Sequence, residues 1–322
     1  MLYPSKIETF DDLRATMSAA QLTRTLQVAH HIGIFAALGD GEQDLAALAE
    51  STETPADLLE PLLTACSSMG LLDRDGDRFA NTPLAAEHLV PGKPLYQGNM
   101  IGHGMDTWAR WGELPDRYRP DHGDAPWAAP EDFILAMHNI TVPDRGPALA
   151  ADVDLSGRRS LVDIGGGPGT YSIYACKANP KLRATVWDLP ATIAIAKTVI
   201  EGFPEVADRM SVIEGDWNED DFGSGYDALL MSNVMHGMPS NPESKLAKAF
   251  AALDPGGLII IQDFILNDDR IGPISAALFN LYIGAFTFTE LGDLLRKAGF
   301  VDVNNARAPE LDGCGVVTAV RP

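Results

Sequence analysis

Cysteine is scarce in this chain of 322 residues, and so are positive charges. The three cysteines, Cys66, Cys176 and Cys314, are odd in number, far apart and not at metal-ligand spacing. That argues against a disulfide framework or a zinc site and leaves buried free thiols as the expectation, with no metal. Lysine and arginine number 24 against 45 acidic residues, a net charge of −21. Binding to nucleic acid or an anionic membrane rests on cations that neutralise phosphate, so neither is an expected partner. The acidity itself is read as a solubility device. No apolar run approaches the ~20 residues that span a bilayer. The opening MLYPSKIETFDDLRAT lacks both a basic start and an apolar stretch, so the chain reads as cytoplasmic. Thirty glycines and 22 prolines are too few for a low-complexity chain.

What is present divides into parts. The length suits two compact domains. From Asp11 to about Ala80 apolar residues recur at helical spacing, as in Leu22, Leu26 and Ala29, then Ile34, Phe35 and Leu38. Two further helices and a Leu71 to Phe79 hairpin, with Asp75-Gly76 at its tip, complete the order of a winged helix. Residues 84–150 are helical but broken by prolines, and they carry Tyr96, Trp108, Trp111, Tyr118 and Trp127. From Ser160 onward short apolar runs alternate with helical stretches: SLVDI, ATVWD, MSVIEG, YDALLMSN, LIIIQDF and GVVTAV. Strands alternating with helices imply a doubly wound, mostly parallel α/β sheet. The expected boundaries are 1–95 for a winged-helix-like domain, 96–150 for a helical connecting layer and 151–322 for a Rossmann-like domain.

The sharpest chemical signal is Leu161 to Thr170, LVDIGGGPGT, a strand ending in a glycine loop that opens a helix near Tyr171. Glycines such as Gly165 and Gly167 admit close backbone approach, and a helix N-terminus presents unpaired N–H groups. Twenty-three residues beyond Gly165, Asp188 ends the next strand in VWDLP. A carboxylate there can accept both hydroxyls of an adenosine ribose. After MSVIE, Asp216 can accept from an adenine amino group while Trp217 packs on the ring. Three strand ends thus converge on one nucleoside. NAD competes, but its fingerprint asks for a small residue where Thr170 stands. Asp163 before the glycines suits a cationic ligand such as a sulfonium with an amino-acid tail, or else it holds the loop.

Taken together, these motifs resemble the small-molecule O-methyltransferases, which include caffeic-acid-type, hydroxyneurosporene and acetylserotonin enzymes. VDIGGGPG is similar to the family's cofactor loop, VWDLP to its ribose-binding strand end, GDW to its adenine site and MSNVMHGMP to its catalytic segment. LDPGGLIIIQDFIL and a late LLRKAGF follow in the family's order. The resemblance covers nearly the whole chain. It implies S-adenosyl-L-methionine as cofactor, S-adenosyl-L-homocysteine as product, and an N-terminal dimerisation domain that makes a homodimer. Asp163, Gly165, Gly167, Asp188, Asp216, Trp217 and Ser232 fall on its cofactor contacts, and His236 on its general base, with Asp263 as an acidic partner. Met137, His138 and Asn280 fall in the region that lines the acceptor pocket.

A base is wanted because a phenol or alcohol is largely protonated at neutral pH, and a neutral imidazole suits the task. Two departures stand out. His236 is followed by Gly237-Met238 where many members have Asp-Trp, and the second acidic position falls near Phe286 to Phe288, which offers no carboxylate. His236 is therefore either the base or a residue that positions the acceptor. The expected reaction is methyl transfer to the hydroxyl of a small aromatic metabolite. The alternatives are S-, N- or C-methylation by positioning alone, an NAD-dependent oxidoreductase, or a non-catalytic DNA-binding metabolite sensor. Residues 1–100 hold six Lys/Arg against fourteen Asp/Glu, a net of −8, which disfavours the sensor.

Overall fold

The computed structural model describes residues 7–115, 131–308 and 313–322; Tyr118 and Trp127 lie outside them. The chain divides into two compact units, Met1–Ala125 with Asp269–Tyr282, and Pro126–Asp268 with Ile283–Pro322.

The first unit begins with helix Phe10–His31, fixed at its start by a capping box in which Thr9 and Asp12 exchange side-chain and backbone hydrogen bonds. The box satisfies donors that the first turn leaves orphaned, and the paired Asp11 and Asp12 also oppose the helix dipole. Helices Leu45–Ser51 and Ala56–Ser68 follow. Then come β2 (Leu72–Asp75) and β3 (Arg78–Asn81), with β1 (Glu42–Asp44) pairing antiparallel on the far side of β3. Asp75 pairs with Arg78, so the hairpin turns on Gly76-Asp77, one residue later than the sequence suggested. Ala29, Ile34, Phe35, Leu38, Leu48, Leu59, Leu63 and Phe79 form the core of this unit. Arg74 reaches from β2 to Glu60 and Thr64, tying hairpin to helix. Residues 269–282 lie in the span expected for the C-terminal domain, yet they pack here. Helix Ile274–Tyr282 buries Ala276 and Ala277 and sets Leu281 against this core.

The second unit is built on a sheet ordered β10-β11-β8-β7-β4-β5-β6. Its members are β4 (Ser160–Ile164), β5 (Arg183–Asp188), β6 (Met210–Glu214), β7 (Tyr226–Ser232), β8 (Leu253–Leu266), β10 (Val301–Arg307) and β11 (Cys314–Val320). The two-residue β9 (Phe286–Thr287) pairs with β8. β4 to β8 run parallel, and β11 runs antiparallel to both β8 and β10. The central strands are apolar along most of their length, on both faces, because both faces are covered. Val162, Ile164, Leu229, Met231, Ile259 and Ile261 face one core cluster, while Leu161, Ala228, Leu230 and Ile260 face the other. The chain leaves β4 toward β5 and β6, then returns to build β7 and β8 on the opposite side. That reversal puts the switch point at the carboxyl ends of β4 and β7, the place where ligands of such sheets collect.

Candidate active site

The loop after β4 is held from below. Gly165 N–H donates to the Trp187 carbonyl on β5 at 2.8 Å. A Cβ on Gly165 would stand 2.5 Å from the Trp217 ring and 2.6 Å from Val234, so only glycine lets those three segments meet. Helix Thr170–Ala178 opens at the loop's end with no side-chain cap. Its first residue is hydrogen-bonded to His138 Nδ1 through Thr170 Oγ1 at 2.8 Å. Half-buried His138 also meets the Phe203 ring edge-on. Burial holds its imidazole below the usual histidine range.

Two carboxylates stand at the loop. Asp188 accepts from Gly167 N–H at 2.8 Å through Oδ2 and from Leu189 N–H at 2.7 Å through Oδ1. A carboxylate has about four lone-pair sites, so acceptor capacity remains for two hydroxyls. Asp163 is 1% exposed; Ser172 Oγ donates to its Oδ2 at 2.8 Å, and its Oδ1 is buried without a partner. Burial pushes Asp163 from 3.8 up to about 7, the nearby charge of Asp188 adds to the rise, and the Ser172 hydrogen bond opposes it.

A native-state value above the unfolded one means the folded protein keeps a proton there that the unfolded chain has released. The contribution of Asp163 to the stability of the cofactor-free protein should therefore fall as pH rises from about 4 to about 7. Asp163→Asn should flatten that slope in thermal unfolding between pH 4 and 8. An identical slope in the variant would show that Asp163 is ionised throughout.

Beyond β6, Asp216 accepts from Asn218 N–H at 2.8 Å, and its own N–H donates to Asp220 Oδ2. Trp217 packs partly buried on the core beneath the site. Ser232, at the end of β7, lies 3.3 Å from Gln262 Nε2 as an acceptor, which leaves its hydroxyl hydrogen able to donate.

Past β7 the buried carboxylate of Asp263 holds Met235 and His236. Asp263 Oδ1 accepts from His236 Nδ1 at 2.9 Å and from Phe264 N–H at 2.8 Å, while Oδ2 accepts from Met235 N–H at 2.9 Å. With Nδ1 donating, Nε2 is the nitrogen that carries the lone pair. Gly237 has φ +60 and ψ −176, a conformation essentially restricted to glycine. A Cβ there would meet the backbone of Gly284 and Ala285 at 3.2–3.3 Å. Aspartate after the histidine is thus excluded by this backbone. Glu290, the carboxylate nearest in sequence to Phe286–Phe288, caps its own helix by accepting from Thr287 N–H.

Met137 is half-buried on helix Asp132–Ile140 of this unit, whereas Asn280 belongs to helix Ile274–Tyr282 of the first unit. Sequence reasoning passed over Lys245 and Lys248. Lys245 is 5% exposed, donates to the Val234 carbonyl at 2.6 Å and stands 4.6 Å over the Trp217 ring. Burial lowers its ammonium below the usual lysine range, against the opposing charge of Asp263. Lys248 donates to the carbonyls of Trp217, Asn218 and Asp220. Two lysines three apart shortly after His236, in a lysine-poor chain, are the available signal.

A parallel sheet with a glycine loop, a carboxylate at the end of the next strand and a histidine–aspartate pair beside the switch point has the parts that a nucleoside-binding transferase needs. Residues 136–301 match the O-methyltransferase domain model, and residues 15–91 match the O-methyltransferase dimerisation domain. The chain is 34% identical to the 3-hydroxy-5-methyl-1-naphthoate 3-O-methyltransferase of Streptomyces sahachiroi, over 93% of this chain and 92% of that one. It also shares the fold of an O-methyltransferase family 2 protein from Planctomyces limnophilus solved with apigenin, at TM-score 0.79 and 24% identity over 99% and 98% of the two chains. Human N-acetylserotonin methyltransferase in complex with S-adenosylmethionine matches at TM-score 0.53 and 24% identity over 99% of each chain. The chain belongs to the S-adenosylmethionine-dependent O-methyltransferase family.

The residues present fit that cofactor. Asp163 Oδ1 is buried beside the loop with no partner among the described residues, a Cβ at Gly165, Gly166 or Gly169 would come within 3 Å of its neighbours while Gly167 faces open space, and Asp188 retains acceptor sites.

Proposed function

We propose that this protein methylates the hydroxyl of a small aromatic metabolite, with His236 as general base. The His236–Asp263 hydrogen bond carries the reading. When bound, S-adenosylmethionine supplies an electrophilic methyl group. Asp188 would hold the ribose hydroxyls, Asp216 the adenine amino group and Ser232 the tail carboxylate, with Gly165 and Gly167 giving backbone access. Trp217 would pack against the base. His236 Nε2 takes the acceptor's proton, and Asp263 stabilises the imidazolium that forms. Alignment of the acceptor contributes as well, since positioned reactants avoid much of the entropy cost of a bimolecular step. The similarity to a naphthoate 3-O-methyltransferase supports an aromatic acceptor. Calorimetric titration with S-adenosylhomocysteine, followed by a mass-spectrometric screen of phenols, hydroxy acids and thiols, tests the reading. Absence of binding, or methylation confined to thiols, would overturn it.

The chain is further expected to form a homodimer. It carries the dimerisation domain, and helix Phe10–His31 exposes Phe10, Leu13 and Met17 along one stripe at helical spacing. Sedimentation should show a dimer for the wild type and a monomer for the Leu13→Asp, Met17→Asp double variant. A wild type that sediments as a monomer at micromolar concentration contradicts this.

A further inference from the structure

Helix Pro242–Ala252 follows the catalytic segment directly and presents Lys245 and Lys248, three residues apart, on one face. Lys248 gathers the carbonyls of Trp217, Asn218 and Asp220 at 2.8–3.1 Å, which fixes the turn after Asp216. Lys245 reaches the other way. Its ammonium donates to the Val234 carbonyl, two residues before His236, and lies over the Trp217 ring. Val234 and Trp217 in turn both crowd Gly165 of the cofactor loop. The segment 234–236 is therefore held at three points, by Lys245 on the Val234 carbonyl, by Asp263 on Met235 N–H and by Asp263 on the His236 ring.

A buried ammonium is costly, and a methionine of similar length would fill the same volume without that cost. What methionine cannot do is hold a carbonyl and an aromatic face at once.

We propose that Lys245 is a positioning residue for methyl transfer, a buried cation that locks the Trp217 ring and the Val234 carbonyl in one register and so sets where His236 stands. The proposal rests on the assignment of Trp217 to the adenine side and of His236 to the acceptor's proton. Lys245 acts through those two residues and touches no reacting atom.

The test compares wild type, Lys245→Met and Lys245→Gln by S-adenosylhomocysteine calorimetry and by steady-state kinetics. Lys245→Met should lose roughly tenfold in affinity for S-adenosylhomocysteine, the order expected of one lost charge-assisted contact. Its kcat should fall by roughly 10²-fold, as a misplaced catalytic group implies, with the acceptor KM changed by less than about threefold. Lys245→Gln keeps a donor for the Val234 carbonyl and should recover part of kcat. In a Trp217→Phe background the Lys245→Met loss in affinity should shrink, because the two residues share one contact.

Wild-type affinity and kcat in a folded Lys245→Met protein would overturn the proposal alone. Equal loss in Lys245→Met and Lys245→Gln, unchanged by Trp217→Phe, would reduce Lys245 to packing and overturn it too. If Lys245→Met does not fold, Lys245→Gln decides: wild-type kcat and affinity there overturn the proposal. A wild type that does not bind S-adenosylhomocysteine removes the cofactor reading and this proposal together.

Discussion

His236→Ala should leave S-adenosylhomocysteine affinity nearly unchanged and lower kcat by roughly 10²- to 10⁴-fold, the usual contribution of a positioned general base. At about 1.4 kcal/mol per tenfold, that is about 3–5 kcal/mol of transition-state stabilisation. The geometry motivates the size. Nδ1 is engaged by Asp263, which is itself anchored by two backbone N–H groups, so the ring has one orientation and one tautomer, with Nε2 left to accept a proton. Asp263→Asn should do comparable damage to kcat. The amide cannot accept from His236 Nδ1–H, Phe264 N–H and Met235 N–H together, so the substitution disturbs the segment as well as the tautomer. The pH profile separates the roles. A base gives the wild type a rate that falls as the imidazole is protonated, and that acidic limb should vanish in His236→Ala. If the variant keeps the limb and loses only acceptor affinity, His236 positions the acceptor, and the acceptor arrives ready to attack.

Much of the fold was legible because its physics is local. β4, β7 and β8 are covered on both faces, so their middles are apolar, and SLVDI, YDALLMSN and LIIIQDF stand out in the sequence. β10 was not read. VDVNNAR is an edge strand, mostly exposed, with polar residues where a central strand would carry apolar ones. Sequence order alone puts helix Ile274–Tyr282 with the C-terminal domain. Its packing on the first unit depends on which apolar face meets which, and that is not written in its own nine residues.

The candidate site divides along the same line. Gly165, Asp188 and His236 sit at strand ends whose spacing reveals them. Asp263 lies inside a strand, yet the family's pattern pointed to it. Lys245 escaped because a lysine is ordinarily a surface residue, and nothing in the sequence tells which carbonyl a long side chain will find. His138, expected to line the acceptor pocket, has one ring nitrogen engaged with Thr170, a partner 32 residues away that only the folded loop brings near. Gly237 read as a weakness beside the histidine. It is instead a backbone requirement set by Gly284.

Asp188→Ala should weaken S-adenosylhomocysteine binding by about 2 kcal/mol, roughly 30-fold, the order expected when charge-assisted hydrogen bonds are lost from a sheltered site. Two effects add in that figure. The ribose hydroxyls lose their acceptor, and Gly167 N–H loses the latch that holds the loop against β5. Asp188→Asn distinguishes them. Its remaining carbonyl oxygen can still accept from Gly167 while offering less to two hydroxyls, so its affinity should fall between wild type and Asp188→Ala. There is a further signature in the cofactor-free protein. The negative charge of Asp188 helps hold Asp163 up at about 7. Removing that charge lowers Asp163 in the folded state, and the pH range over which stability declines should contract toward the acid side. An Asp188→Ala protein that binds S-adenosylhomocysteine as tightly as wild type would show the ribose assignment to be wrong. If affinity is lost but the stability profile does not move, Asp188 holds the ribose without influencing the charge on Asp163.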